Sequence, residues 1–304
     1  MSLQVGSKIS LRPKVQLSQH TTMQIGGPAE SFAEPSNEAE LAAVLDYARR
    51  ESIPTVILGK GSNVIFPDEG FPGIVITLLQ FEKNKIEFDP GIPEVTVSAG
   101  VHLYKFVLAC RDRGLGGAEF LANIPGTVGG ALVMNAGFSR FPGQRSEIGD
   151  IVTEVTVMNA DGSTEVLTKN QLEFQYRRSN LSGRIVIAGR MRLWRRTPAF
   201  IEKEIRACFS YRNDKQDLKH PSSGSVFKNP PAPLPAAAKL IDELGLKGTR
   251  IGGMMVSPKH ANYFINAGQG KCSEMAELIQ FIQGKVFDAK GIWLEPEVRF
   301  IAKP

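Results

Sequence analysis

Five residues between two apolar runs, Gly59, Lys60, Gly61, Ser62 and Asn63, are of the types that fold backbone N–H groups around a phosphate. They follow the run TVIL and precede VIF. The stretch is not a dinucleotide-binding fingerprint. The third glycine of G-x-G-x-x-G would fall on Val64, and the loop leads toward a strand-like run rather than a helix. It is not a P-loop either, because no glycine precedes a Gly-Lys-Ser/Thr at the required spacing. A nest for a diphosphate and a plain turn both remain open. A second glycine-rich stretch, IPGTVGG followed by MNAG, holds Pro125, Gly126, Thr127, Gly129, Gly130, Asn135, Ala136 and Gly137. Its glycines permit close backbone approach to a flat or charged ligand, or simply close helix packing. Two such stretches in one chain suit a large cofactor with a diphosphate.

Three further stretches carry polar side chains. In PSSGSVFKNP, Ser225 sits on an adaptable turn with Lys228 and Asn229 close behind. The serine-hydrolase elbow G-x-S-x-G is absent from it, and His20, His102, His220 and His260 show no pairing that would supply a base. In FQYRRSNL, Arg177 and Arg178 have the fork that reads a carboxylate or phosphate bidentately, or they are a solvated surface pair. In LEPEVRF, a strand would place Glu295, Glu297 and Arg299 on one face, where an ion pair at the surface is the plain alternative.

These residues need elements to hold them. Residues 38–51 place Leu41, Val44, Leu45 and Ala48 at helical spacing behind a possible Ser36-Asn37 cap. Strand patterns follow at TVIL, IVITL, KIEF and VTVS, then a helix over 103–113. Strands resume over 151–159 and 185–194, with helices predicted at 202–211, 236–244 and 273–285. The final IWLEPEVRFIAK alternates as a strand. The pattern is α+β, with a composition break near Thr197-Pro198. The 304 residues are enough for a large core and more than one domain. The net charge of +5 comes without a dense basic run, so an anionic small molecule fits better than nucleic acid. Cys110, Cys208 and Cys272 have neither metal-ligand nor disulfide spacing, which predicts a reducing compartment and no metal. The N-terminus lacks a signal-peptide core and no apolar run reaches about 18 residues, so the expectation is a cytoplasmic protein without membrane insertion.

The order of the motifs is more specific than any one of them. TTMQIGGPAE, GKGSN, EFLANIPGTVGGALVMNAG, YRRS, GSVFKNP, LIDELGLKG, SPKHANYFIN and LEPEVRFI occur in sequence from about Gln19 to Ile301. The chain thereby closely resembles the UDP-N-acetylenolpyruvoylglucosamine reductases of peptidoglycan synthesis. The resemblance implies an α+β fold: a vanillyl-alcohol-oxidase-type FAD-binding domain of two subdomains, then an α+β domain for the UDP-sugar. The boundaries expected are 1–197, with subdomains of about 1–68 and 69–197, and 198–304, whose last strand returns to the active site. It implies non-covalent FAD, NADPH as co-substrate, the enolpyruvyl ether of UDP-N-acetylglucosamine as substrate, and no obligate protein partner. By motif match, both glycine-rich stretches hold the cofactor, while Lys228, Asn229 and Arg299 bind substrate. Arg177 faces the negative charge that develops toward the substrate carboxylate, Glu297 stands with it, and Ser225 gives the proton.

Two departures stand out. Arg178 occupies a position where the family often has an acid, and residues 138–150 look longer than the usual link. Only NLSGR separates YRRS from the IVIAGRMRL strand, which places the chain with relatives that lack a tyrosine-bearing loop there. Two rival readings are an oxidase of the same fold and a catalytically dead flavin module. Oxidases of this type often attach FAD through a histidine, and none lies in the glycine-rich stretches. The set Arg177, Ser225 and Glu297 speaks against a dead module.

Overall fold

The structure is a computed structural model and describes residues 3–5, 9–141 and 144–302. The chain forms two compact units that interleave along the sequence. One comprises residues 1–13, 31–60 and 73–212, and the other 14–30, 61–72 and 213–304. Pro198, at the composition break, starts a helix that runs to Lys215. Thr197 Oγ1 accepts from Phe200 N at 3.3 Å, and proline is suited to a first helical turn. Ile201 and Ile205 of this helix are buried in the first unit's core.

The helices are α1 (Glu38–Arg50), α2 (Leu103–Asp112), α3 (Val128–Met134), α4 (Ile148–Ile151), α5 (Pro198–Lys215), α6 (Ala237–Glu243) and α7 (Cys272–Lys290). One sheet runs in the order Leu3–Val5, Ile9–Gln16, Pro28–Ala33, Phe71–Thr77, Thr55–Leu58. α1 buries the predicted Leu41, Val44, Leu45 and Ala48, and Asn37 caps it by accepting from Glu40 N at 3.0 Å. The short strand Thr55–Leu58 lies parallel to Phe71–Thr77, with Leu58 opposite Thr77. The carboxyl ends of both strands therefore open on the edge where Gly59 begins. The second sheet is antiparallel, in the order Thr164–Thr168, Val152–Met158, Ile185–Arg192, Glu94–Ser98, Ile86–Phe88. α3 packs close to it. A Cβ at Gly129 would fall 2.8 Å from the Ala99 Cβ, and one at Gly189 2.8 Å from Leu132 Cδ1.

The second unit has an antiparallel sheet in the order Ser222–Ser225, Tyr263–Asn266, Met254–Val256, Arg250–Ile251. Leu240 of α6 and Leu278 and Ile282 of α7 share its core with Phe227 and Phe264. The final segment departs from the predicted strand. Only Arg299–Phe300 is regular, parallel to Val64–Ile65. Pro296 forms an antiparallel bridge with Phe227, and the segment changes partner only beyond Glu297. Lys228 N donates to Glu295 O and Glu297 N to Val226 O, after which Arg299 N donates to Asn63 O. Glu295 is exposed while Glu297 and Arg299 are half-buried, so the three differ in their access to solvent.

Asp68 closes the start of α7. Its carboxylate accepts from Cys272 N at 2.6 Å, Ser273 N at 3.0 Å and Ser273 Oγ at 2.8 Å. Burial alone would raise its pKa, but these hydrogen bonds and the charge of Lys271 outweigh it and hold the group below the ordinary carboxylate value. A depressed folded pKa contributes stability that is present above the unfolded pKa of about 4 and is lost as pH falls through the folded value. Asp68→Ala should therefore lower stability by about 1 kcal/mol at neutral pH. The difference from wild type should shrink in melts taken below pH ~4.

Candidate active site

The glycine-rich stretches meet within the first unit. A Cβ at Gly59 would fall 2.6 Å from Thr127 Oγ1, so only a glycine lets the turn after Thr55–Leu58 approach the start of α3. Thr127 is buried and caps α3, its Oγ1 accepting from Gly130 N at a long 3.5 Å. Gly126 O accepts from Leu103 N, and His102 bridges to Thr127. Burial, with the charges of Lys60 and Lys105 nearby, holds His102 below the usual imidazole value. The edge is therefore a glycine-lined cradle with a lysine charge and a buried hydroxyl. These groups fit the diphosphate of FAD, which needs backbone approach and positive charge.

Gly61, Ser62 and Asn63 continue in the second unit. Gly61 has φ +67°, and a Cβ there would fall 2.1 Å from His20 O. Asn63 Nδ2 donates to Glu297 O at 3.1 Å.

Asn135 ends α3 in the left-handed conformation, φ +44°. Its buried amide donates to Glu147 Oε2 at 2.7 Å and Gln175 O at 3.0 Å, and accepts from Gly149 N at 3.0 Å. The side chain is thus engaged with protein, and the backbone here is engaged too: Asn135 N donates to Leu132 O, Ala136 N to Ala131 O, and Gly137 pairs with Glu147. Gln175 belongs to a hairpin, Phe174–Gln175 with Arg178–Ser179, that presents Tyr176 and Arg177 at its turn. Arg177 is held at φ +57°, a region costly for a non-glycine residue and common at functional sites. Its Nη2 donates to Gly137 O at 3.2 Å, and its guanidinium lies 5.3 Å from the Tyr176 ring centroid. Ser179 Oγ anchors the hairpin by donating to Val133 O at 2.8 Å.

Residues 138–150, unassigned from the sequence, brace this hairpin. They include the strands Gly137–Phe141 and Gln144–Glu147, with Pro142 and Gly143 outside the described residues. The Arg145 guanidinium lies 4.0 Å from the Tyr176 ring centroid, and Glu147 accepts from Asn135. Arg178 is exposed, opposite Gln175 in the hairpin. Residues 180–184 make a tight turn with Leu181 buried, Arg184 N donating to Leu181 O.

In the second unit, Ser225 ends the strand Ser222–Ser225 just after a bulge. Ser222 pairs with Ile265 but Ser225 with Tyr263, and Gly224 absorbs the extra residue at φ +78°. Bulges re-aim side chains beside active sites. Asn262 fixes the backbone two residues beyond Ser225, accepting from Phe227 N at 2.9 Å and donating to Phe227 O at 2.8 Å. The bond from Glu297 N to Val226 O, 2.7 Å, brings Glu297 beside the residue after Ser225. Arg299 lies two positions along the same segment, its pKa lowered by burial. Of the predicted substrate residues, Lys228 pairs with Glu295 at 2.5 Å, and Asn229 Oδ1 accepts from Ala237 N at 3.1 Å, which orders the start of α6. The reading by motif missed Asn262 and Arg145. Asn262 stood within SPKHANYFIN, and its amide type was the available signal. His260 is half-buried against Tyr263 at 4.7 Å between ring centroids, and burial lowers its pKa. Among the described residues no cluster of His, Cys, Asp and Glu could hold a metal, and no helix is long and apolar enough to cross a membrane.

Comparison with known proteins agrees with this arrangement. A model of an FAD binding domain matches residues 29–168, and a model of the UDP-N-acetylenolpyruvoylglucosamine reductase C-terminal domain matches residues 216–301. Fold and site thus define an FAD-dependent oxidoreductase of mixed α+β architecture. The UDP-N-acetylenolpyruvoylglucosamine reductase of Synechocystis sp. is 39% identical over 98% of this chain and 93% of its own length. That of Moorella thermoacetica is 39% identical over 97% of this chain and 95% of its own. The crystal structure of the Thermus caldophilus enzyme superposes with a TM-score of 0.80 at 33% identity, covering 97% of this chain and all of that one. The chain belongs to the UDP-N-acetylenolpyruvoylglucosamine reductase family. FAD is its cofactor and NADPH its reductant.

Proposed function

We propose that this protein reduces the enolpyruvyl ether of UDP-N-acetylglucosamine to UDP-N-acetylmuramate, a step of peptidoglycan precursor synthesis, in the cytoplasm. The observation that carries this reading is the near-complete relationship to the Thermus caldophilus enzyme, whose whole chain is matched. Bound FAD would accept a hydride from NADPH and supply it to the terminal vinyl carbon. Gly59, Lys60, Pro125, Gly126, Thr127, Gly129 and Gly130 would hold its diphosphate and flavin without a covalent link, together with Gly61, Ser62, Asn63, Asn135, Ala136 and Gly137.

The remaining chemistry falls to side chains. As the vinyl carbon gains hydride, negative charge spreads toward the substrate carboxylate. The Arg177 fork, pre-set by its hairpin, would stabilise that charge, and electrostatic groups fixed in advance need no reorganisation. Ser225, turned by the Gly224 bulge, would give a proton to the carbon next to the ether. Glu297 would orient the positive groups around the carboxylate or donate to it when protonated. Lys228 would leave Glu295 for the substrate diphosphate, an exchange that an exposed ion pair permits at small cost. The first test is acid precipitation of the purified yellow protein. FAD should appear in the supernatant, and NADPH oxidation should depend on the enolpyruvyl ether. Flavin retained in the pellet would contradict the non-covalent reading, and NADPH oxidation indifferent to the ether would contradict the substrate.

A further inference from the structure

Thr77 is the last residue of the strand Phe71–Thr77, and parallel pairing sets it opposite Leu58, one residue before Gly59. Its side chain is 1% exposed, and its Oγ1 is buried with no hydrogen-bond partner among the described residues. Leaving a buried hydroxyl without a partner is destabilising, and a valine would fill the same space without that loss. The strand geometry gives no reason for a hydroxyl here, so the reason lies in something that binds. Parallel strands open their carboxyl ends on one edge, the edge where α/β sheets take ligands. That edge already holds the Gly59 turn, approached by Thr127 Oγ1, and the charge of Lys60.

We propose that Thr77 is a further cofactor-binding residue, its hydroxyl donating to a diphosphate oxygen of FAD held at the Gly59 and Lys60 turn. The inference rests on the reading that this turn holds the diphosphate. It has an unusual signature, because the hydroxyl has no partner until the cofactor arrives. Removing it should weaken cofactor binding while leaving the cofactor-free protein as stable as before, or more so.

The test uses apoprotein stripped of flavin, with affinity read from quenching of flavin fluorescence and stability from thermal melts. Thr77→Val should raise the Kd for FAD roughly tenfold, as loss of a hydrogen bond to a charged acceptor does. Thr77→Ser should stay near wild type. The apoprotein Tm of Thr77→Val should be unchanged or raised, and its Kd for riboflavin, which lacks phosphate, should not change. If Thr77→Val lowers the apoprotein Tm and leaves the FAD Kd alone, the hydroxyl serves the protein or a bound water, and the proposal fails. An equal loss for riboflavin overturns the diphosphate assignment. Gly59→Ala separates the underlying reading. Weaker FAD binding in Gly59→Ala with none in Thr77→Val sinks the proposal and keeps the turn. The converse keeps a Thr77 contact and removes the turn from the diphosphate.

Discussion

Ser225→Ala should divide the catalytic cycle in two. Rapid mixing with NADPH should bleach the flavin absorbance at close to the wild-type rate, since hydride transfer from NADPH needs no proton from this serine. Reoxidation by the enolpyruvyl ether should slow by about 10²–10⁴-fold, the usual contribution of a positioned general acid. The structural argument is the bulge before Ser225. Gly224, at φ +78°, is the residue that lets the strand turn this hydroxyl without losing the pairing to Tyr263. Glu297 N donates to Val226 O at 2.7 Å and Val226 N to Asn262 O at 2.9 Å, so the backbone just after Ser225 is fixed. A hydroxyl is a weak acid, but the carbon it protonates is strongly basic once hydride has arrived. Ser225→Cys should recover part of the rate, because a thiol is the stronger acid. Wild-type reoxidation in Ser225→Ala would make Ser225 a turn residue. Slow bleaching with normal reoxidation would place it in the other half of the cycle.

Arg177→Lys should also act on reoxidation, slowing it by about 10²–10³-fold, the cost of losing a preorganised group at developing negative charge. Lysine keeps the charge and loses the planar fork, and a point ammonium does not reproduce a bidentate pair. The backbone makes a second variant informative. Arg177 is held at φ +57°, so Arg177→Gly relieves strain of roughly 1 kcal/mol or more while removing the charge. It should match or exceed the wild-type Tm and still reoxidise slowly. That pairing of a stable fold with a lost half-reaction identifies strain kept for function. A destabilised Arg177→Gly with normal reoxidation would assign the arginine to the hairpin alone.

The sequence made the local elements legible. α1 could be read from Leu41, Val44, Leu45 and Ala48 because helical periodicity survives in any window of that length. The glycine-rich stretches were legible as places of close backbone approach, and Gly59 stands where a Cβ would fall 2.6 Å from Thr127 Oγ1. Partners distant in sequence could not be read. Interleaved units depend on strand pairings such as Val64 with Arg299, which leave no periodic mark. Pro198 looks the same in sequence whether it breaks a chain or begins a helix, and burial of Ile201 and Ile205 decides between them. The final segment alternates like a strand, yet it pairs with residues 226–228 around Pro296 and with Asn63 and Ile65 beyond it. The bracing of Arg177 was hidden for the same reason. Asn135 and Gln175 meet through a side-chain-to-backbone bond across 40 residues, and Arg145 reaches Tyr176 from a segment with no recognisable motif.

The most direct measurement is an anaerobic titration of the NADPH-reduced protein with the enolpyruvyl ether of UDP-N-acetylglucosamine, monitored at the flavin absorbance and by the mass of the sugar nucleotide. The account predicts full reoxidation at about one equivalent of ether per flavin, with product heavier than substrate by two hydrogens. UDP-N-acetylglucosamine without the enolpyruvyl group should leave the flavin reduced. Flavin that stays bleached in excess ether, or recovers equally with the plain sugar nucleotide, would contradict the account.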